Sequence, residues 1–447
     1  MSMAKFRRGW RFDGKSAERS DAKARIWETL PAQSKAIRHQ WLGTMSSGCA
    51  ATQGIHEACD FSCTACYLSS SANQTPALPL AEAKAQLDAI RKHTGPGGNC
   101  QLTAGEVTLL PREHLAALVR HARELELDPM VMTHGQTFER DPTYLDALMD
   151  AGLEKIAVHV DETQRGRDGV ASKPKEQDLF VVRERMAKVI RDARIRTGRP
   201  LYASHTVTVS ERNIDVVPDI MRWTLKNADA FRMLSLQPVA AVGRTRTGRV
   251  ADSDHVWSKV EAGAGAALNP HTFTLGHPSC NRVCLTFVVR FGDEVKLVEV
   301  RREDKAIDAY FFDGLIQGRF RDFYTDGAHG LELVGRCFGL LRREPKYLAQ
   351  WPLYAAYRAV EHLPWAPRFF AALVRGESCS IRPFVAVVHS FMSSDQLDTE
   401  EGRLRLEACS FKVPVDGRMV SMCELNGSGM RETLNKELIA LKRKATS

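Results

Sequence analysis

Between about residues 50 and 245 the apolar positions alternate between two rhythms. Short continuous runs suit strands buried on both faces, and longer stretches with three-to-four spacing suit helices that bury one stripe. A short segment, 51–56, comes first and leads into a polar loop. A helix over about 79–93 follows, with Leu80, Ala83, Leu87 and Ile90 on one face. Pro79 suits its start, because proline lacks an N–H that would be unpaired there. Residues 100–103 read as a strand, and a helix from Pro111 sets Leu115, Leu118, Ala122 and Leu125 inward. Residues 129–133 are apolar enough for a buried strand, and a helix from Pro142 stops at Gly152, a residue that tolerates the left-handed end of a helix. The rhythm repeats as strand 155–160, helix 179–190, strand 201–209, helix 213–225 and strand 231–239.

Six strand–helix units predict an α/β domain with a parallel sheet, either a partial barrel or an open doubly wound sheet. Both architectures gather ligands at the C-terminal ends of their strands. Polar residues fall there repeatedly: Ala104-Gly105-Glu106 after strand two, His134-Gly135 after strand three, His159-Val160-Asp161-Glu162 at strand four, His205 within strand five and Gln237 in strand six.

Beyond residue 245 the alternation stops. Residues 243–249 form a basic loop, expected to be a solvated turn. A hairpin is predicted over 284–291 and 294–300, with Gly292-Asp293 at the turn. The stretch 347–374 is helical and aromatic, carrying Trp351, Tyr354, Tyr357, Trp365, Phe369 and Phe370. It reads as a helical hairpin packed on the core, the other reading being a greasy substrate wall or a surface for peripheral membrane contact. A second hairpin, 409–413 and 419–422, and a basic amphipathic helix, 431–444, end the chain. The domain reading is a basic N-terminal extension (1–45), the barrel (46–245), a linking segment with hairpin and aromatic helices (246–375), and a C-terminal cysteine-containing region (376–447).

Composition changes this picture little. The 447 residues are 44% hydrophobic and 26% charged, ordinary for a globular enzyme. A net charge of +8 permits an anionic partner or membrane surface, and no long basic run singles out nucleic acid. No apolar run approaches the ~20 residues that span a bilayer, and no apolar core follows the basic first residues as a signal peptide needs. A cytoplasmic location is expected, where eleven scattered cysteines point to metal or catalysis rather than disulfides.

The chemistry concentrates in Cys59, Cys63 and Cys66, spaced C-x3-C-x2-C after strand one. Soft thiolates on one loop select zinc, copper(I) or iron–sulfur. A closed structural zinc site wants four ligands, and cubane clusters are normally held by four cysteines, so three local ones leave a position open.

With its strand context, this triad resembles the signature of the radical S-adenosylmethionine (SAM) superfamily. The resemblance covers residues 50–245 and implies an α/β fold, a (β/α)6 partial TIM barrel. It implies that Cys59, Cys63 and Cys66 hold a 4Fe–4S cluster whose open iron SAM chelates. Reductive cleavage of SAM would then yield a 5′-deoxyadenosyl radical that abstracts hydrogen from an unactivated carbon. A one-electron reductant such as flavodoxin or ferredoxin is the implied partner. Ala104-Gly105-Glu106 stands where the family carries Gly-Gly-Glu for the methionyl ammonium, with Ala104 and Val107 departing from the usual pattern. Tyr67 stands where an aromatic lies near adenine, and His134, His159, Glu162 and Arg165 are further candidates for SAM or substrate. No catalytic residue is assigned.

The stretches HPSC (277–280), HSFM (389–392) and VDGRMVSMCELN (415–426) give the C-terminal half a looser resemblance to the subgroup of tetraether lipid synthase and related radical methylases. It implies a C-terminal α+β extension with an auxiliary Fe–S cluster on some of Cys280, Cys284, Cys409 and Cys423, and a lipid or other hydrophobic substrate. The alternatives are a maturase with an auxiliary cluster acting on a peptide or cofactor precursor, and a non-catalytic zinc or iron–sulfur protein.

Overall fold

The structure, a computed structural model, describes residues 16–36, 49–245, 251–272, 274–312 and 345–446, with isolated residues 335, 339 and 342. The first fifteen residues, residues 37–48, the end of the basic loop (246–249) and Cys337 lie outside the described residues.

The six predicted strands are β1 (Cys49–Ala51), β2 (Asn99–Leu102), β3 (Asp128–Thr133), β4 (Lys155–His159), β5 (Tyr202–Val209) and β6 (Phe231–Pro238). They pair in order and in parallel, as a partial barrel requires. Helices Leu80–Thr94, Arg112–Glu124, Pro142–Asp150 and Phe180–Thr197 bury the apolar stripes read from the sequence. Leu87, Ile90, Leu115 and Leu118 share one core with Val131, Ile156 and Val158 of the strands. The first strand is shorter and earlier than expected, because residues 52–56 have already turned into the cysteine loop.

The C-terminal half extends this same sheet at both edges. The strands β7 (Asn281–Phe291) and β8 (Glu294–Glu299) form the first expected hairpin, β10 (Phe411–Val415) and β11 (Arg418–Ser421) the second. Between them lies β9 (Cys379–His389), which the sequence reading missed. The full order is β11-β10-β1-β2-β3-β4-β5-β6-β9-β7-β8. Strand β10 lies parallel to β1, and β9 parallel to β6. The run Phe384 to Val388 in β9 is buried throughout, the pattern of a central parallel strand. Pro383 masked it, since proline argues against a central strand, and its partner β6 lies some 140 residues away. Thus the α+β extension completes the sheet that the barrel begins.

The aromatic stretch forms helices Pro345–His362 and Ala366–Val374, broken near Pro364. Tyr347 and Tyr354 pack against Phe311 on one side. On the other, Leu353 (78% exposed), Val360 (65%) and Val374 (88%) face outward. Among the described residues no helix is long and apolar enough to cross a membrane.

Candidate metal centre at the barrel rim

The loop after β1 has little regular structure of its own, so its shape comes from neighbours that grip its backbone. Asn73 accepts from the Cys59 N–H and donates to the Cys59 carbonyl, both at 3.2 Å. The loop after β4 receives Ser62 N on the Arg165 carbonyl (3.1 Å) and Thr64 N on the Thr163 carbonyl (2.9 Å). After β2, Glu106 N donates to the Ala58 carbonyl at 2.9 Å. Gly105, with φ +59°, lies so close that a Cβ would come within 2.4–2.5 Å of the carbonyl oxygens of His56, Glu57 and Ala58. Only glycine fits there, which explains the middle position of Ala104-Gly105-Glu106.

Cys59, Cys63 and Cys66 are free, half-buried thiols on this loop. Burial pushes the Cys59 thiol up to about 12, with Glu106, Asp60 and Cys66 adding to the rise. Burial raises Cys63 well above the ordinary thiol range too, helped by Cys66, Asp161 and Cys59. Cys59 and Cys63 are thus held as thiols, and a nearby cation would favour their thiolate forms. A metal centre supplies that charge, and ligation releases the protons. The donor set therefore fits a sulfur-ligated metal group.

Zinc fits less well. Among the described residues the set of three ligating atoms within 4.8 Å of one another is Cys59, Asp60 and His134. Yet His134 Nδ1 accepts from Gln136 N at 3.1 Å, so its proton sits on Nε2 and points at Asp60 (2.8 Å) and Glu106 (3.2 Å). That nitrogen offers no lone pair to a metal. The His134 ring also stacks on Phe61 at 3.8 Å.

The other predicted residues divide by what already occupies them. Glu106 is buried and accepts from Thr108 N, Thr108 Oγ1, Thr133 Oγ1 and His134 N. Three of these bonds fall on Oε1 and one on Oε2, so the carboxylate braces the rim mainly through one oxygen. Tyr67 is held by Thr103 Oγ1 (3.2 Å) beneath the Arg431 guanidinium, and burial pushes its phenol up to about 12. His159 pairs with Asp161, and its Nε2 also lies 3.2 Å from Thr208 Oγ1. Burial works against the charged His159 ring, but the Asp161 carboxylate outweighs it and the net shift is upward. Glu162 pairs with Arg212 at 3.2 Å, and burial raises its carboxyl. Arg165 donates to the carbonyls of Glu162 (2.5 Å) and Gln164 (2.7 Å). His205 is a core residue: its Nε2 accepts from Arg183 at 3.1 Å, and burial drives its pKa well down.

Three contributors were passed over in the sequence. Arg167 is buried, and Nη2 donates to the carbonyls of His134 and His159 while Nε and Nη1 have no partner among the described residues. Its head lies 5.1 Å from the Phe61 ring centroid, and burial pulls its pKa down to about 10. Arg431 of the C-terminal helix Met430–Thr446 forms a buried 2.5 Å ion pair with Glu57. Arg244, in the basic loop expected to be solvated, donates to Cys66 Sγ at 3.3 Å. No local spacing marks these residues, since their partners lie far away in the chain.

A second group of thiols forms where the C-terminal segments meet. Ser390 N donates to the Cys280 carbonyl at 2.9 Å, and two residues on, Met392 N donates to Cys423 Sγ at 3.4 Å. Burial carries the Cys423 thiol to about 12, with Cys409 and Cys280 adding to the rise. Cys284 does not join them. Its side chain lies inside the sheet core with Val288 and Phe384, its thiol directed at Glu299 (3.6 Å). Of the expected set of four, Cys280 and Cys423 are bound by the one segment 390–392, and Cys284 lies apart from it.

Comparison with known proteins agrees with this picture. Residues 55–222 match the family model described as the Radical SAM superfamily. The chain is 26% identical over 192 residues to the 7,8-dihydro-6-hydroxymethylpterin dimethyltransferase of Methanocaldococcus jannaschii, covering 42% of this chain and 35% of that protein. It therefore spans about a third of that relative's length. Among solved structures, Streptococcus suis SuiB bound to S-adenosylmethionine is 12% identical with a TM-score of 0.35, over 46% of this chain and 44% of SuiB. Native anSMEcpe with bound AdoMet and Cp18Cys peptide is 13% identical, also at 0.35, over 47% and 57%. Likeness that slight decides nothing about reaction or substrate.

The stretch that carries this match, residues 55–222, is the α/β partial barrel with the thiol triad at its rim, so the likeness to the radical SAM superfamily lies in that part of the chain. A 4Fe–4S cluster and SAM are the cofactors that a match to this family model implies.

Proposed function

We propose that the chain abstracts hydrogen from an unactivated carbon of a hydrophobic substrate, with Cys59, Cys63 and Cys66 as the cluster ligands. The observation that carries this reading is the free-thiol triad at the mouth of a parallel barrel, gripped by the loops after β2, β4 and β6. When bound, the cluster and SAM supply a 5′-deoxyadenosyl radical. The chain's own residues hold and orient. The backbone of Ala104, Gly105 and Glu106 borders the cysteine loop as the place for the methionyl ammonium, and Tyr67 lines it beside Cys66. Arg167 offers its two unpartnered donors to an anionic group, the role first considered for Arg165. His159 with Asp161 holds a proton at Nε2 on the rim.

The apolar outer face of the helices Pro345–His362 and Ala366–Val374 supports a lipid-like substrate and peripheral contact with a membrane. A cofactor precursor is the second reading, favoured by the pterin in the name of the Methanocaldococcus relative. A cytoplasmic site of action with flavodoxin or ferredoxin as reductant belongs to both. Cys280, Cys409 and Cys423, without Cys284, are the proposed ligands of an auxiliary Fe–S cluster.

The test is anaerobic reconstitution with iron and sulfide, then SAM and dithionite. The expected result is 5′-deoxyadenosine, absent in Cys63→Ala. Protein that takes up one zinc, no iron–sulfur cluster, and leaves SAM intact would overturn the reading. Adding deuterated lipid extract or deuterated pterin separates the two substrates, because only the true one passes deuterium to 5′-deoxyadenosine.

A further inference from the structure

The basic loop after β6 does more than turn the chain. Arg244 N donates to the Cys66 carbonyl at 2.8 Å, and Cys66 N donates to Thr245 Oγ1 at 3.0 Å. Gly243, at φ +56°, sits so close that a Cβ would lie 2.3 Å from the Tyr67 carbonyl oxygen. These backbone clasps dock the loop on the third cysteine and aim one side chain inward. The guanidinium then donates from Nη2 to Cys66 Sγ at 3.3 Å.

We propose that Arg244 is a positioning and tuning residue, which holds Cys66 through its sulfur and sets how readily the cluster accepts an electron. The inference rests on the assignment of Cys59, Cys63 and Cys66 as cluster ligands. The physical reason is that hydrogen bonds to ligating sulfur and nearby positive charge withdraw electron density and favour the reduced state. The step is the uptake of one electron, taking the cluster from 2+ to 1+, with a low-potential one-electron donor oxidised in return. Because the clasps use the backbone and Thr245, replacing the guanidinium leaves the docking of the loop in place.

The experiment compares the full-length wild type with Arg244→Gln and Arg244→Lys after anaerobic loading with iron and sulfide. Dithionite titration is followed on the EPR signal that SAM perturbs, which reports the site-differentiated cluster. In Arg244→Gln the ratio of reduced to oxidised cluster at fixed ambient potential should fall about tenfold, a midpoint lower by about 59 mV for one electron. Arg244→Lys, a point charge without the planar fork, should fall between the two. Failure of Arg244→Gln to load while Arg244→Lys loads fully also supports the role, through the charge that holds the sulfur. A Gln variant that loads with the wild-type midpoint overturns the proposal, as do two variants that both fail to load. Wild-type protein that holds no cluster on the triad would instead overturn the ligand assignment itself.

Discussion

The two cysteine groups are built in opposite ways. Cys59, Cys63 and Cys66 are neighbours in the chain, and distant residues then clamp their loop: Arg244 and Thr245 at Cys66, Arg165 at Ser62, Arg431 at Glu57. Cys280, Cys409 and Cys423 are dispersed in the chain, and residues 390 and 392 hydrogen-bond to the first and the last of them. The first site is local in sequence and made rigid by the fold. The second exists only through the fold. Its assembly needs β9 beside β6 and β10 beside β1, at the two ends of the parallel run.

The largest expected effects come from removing one ligand at each site. Cys63→Ala should abolish 5′-deoxyadenosine formation and remove about four irons per chain, the content of one cubane. On the proposal that Cys409 helps hold an auxiliary cluster, Cys409→Ala should lower the iron content without touching the first cluster and leave SAM cleavage standing. Iron analysis with product assay checks both, and loss of SAM cleavage in both variants would show that the two groups are not independent.

Next in size is the clamp between the halves of the chain. Glu57 and Arg431 are almost wholly buried, and a buried charge left without its partner is costly. Arg431→Ala should therefore destabilise the protein by about 3–5 kcal/mol, read as a lower urea midpoint. Adding Glu57→Gln to that variant should recover part of the loss, because no uncompensated charge then remains. If the single variant unfolds like wild type, the cysteine loop does not depend on the C-terminal helix.

A smaller effect is expected at Gly105. Ala there meets both positive φ and three carbonyl oxygens, so a loss of about 1–3 kcal/mol is expected in the same urea assay. Iron uptake at the first site should fall with it, while the second site keeps its iron.

The smallest test concerns the His159–Asp161 pair at the rim. Because Asp161 raises the His159 pKa, the imidazole should titrate above its ordinary value of about 6.5 in an NMR pH series. Asp161→Asn should move that midpoint below the ordinary value, since burial and Arg167 then prevail. The sign for stability follows from a raised folded pKa. The pair's contribution is full below the unfolded imidazole pKa and fades as pH climbs through the folded one. A midpoint that ignores Asp161→Asn would remove the pair from the rim's proton chemistry.

How much of this was readable beforehand depends on the range of each interaction. Leu87, Ile90, Leu115 and Leu118 announced their helices because a 3.6-residue period is written locally. Gly105-Glu106 was found by its place after β2, though the reason for Glu106 was not. The sequence suggests a ligand contact, and the structure adds that the carboxylate also accepts from Thr108, Thr133 and His134, partners that no local spacing announces. Arg244, Arg167 and Arg431 looked like surface charges because charge alone carries no sign of burial. Their partners lie as far away as the 374 residues between Glu57 and Arg431.

By itself the sequence determined the six strand–helix units and the thiol triad at the end of the first strand. Those features depend on spacing within a few turns of chain. Only the tertiary structure decided which cysteines form a second group and which cations face the first. It also decided that the C-terminal half continues the barrel's sheet. The reason is physical. Parallel strands such as β1 and β10 make no contact until the chain between them has folded, and a guanidinium gains a sulfur partner only when two loops from opposite ends of the barrel meet.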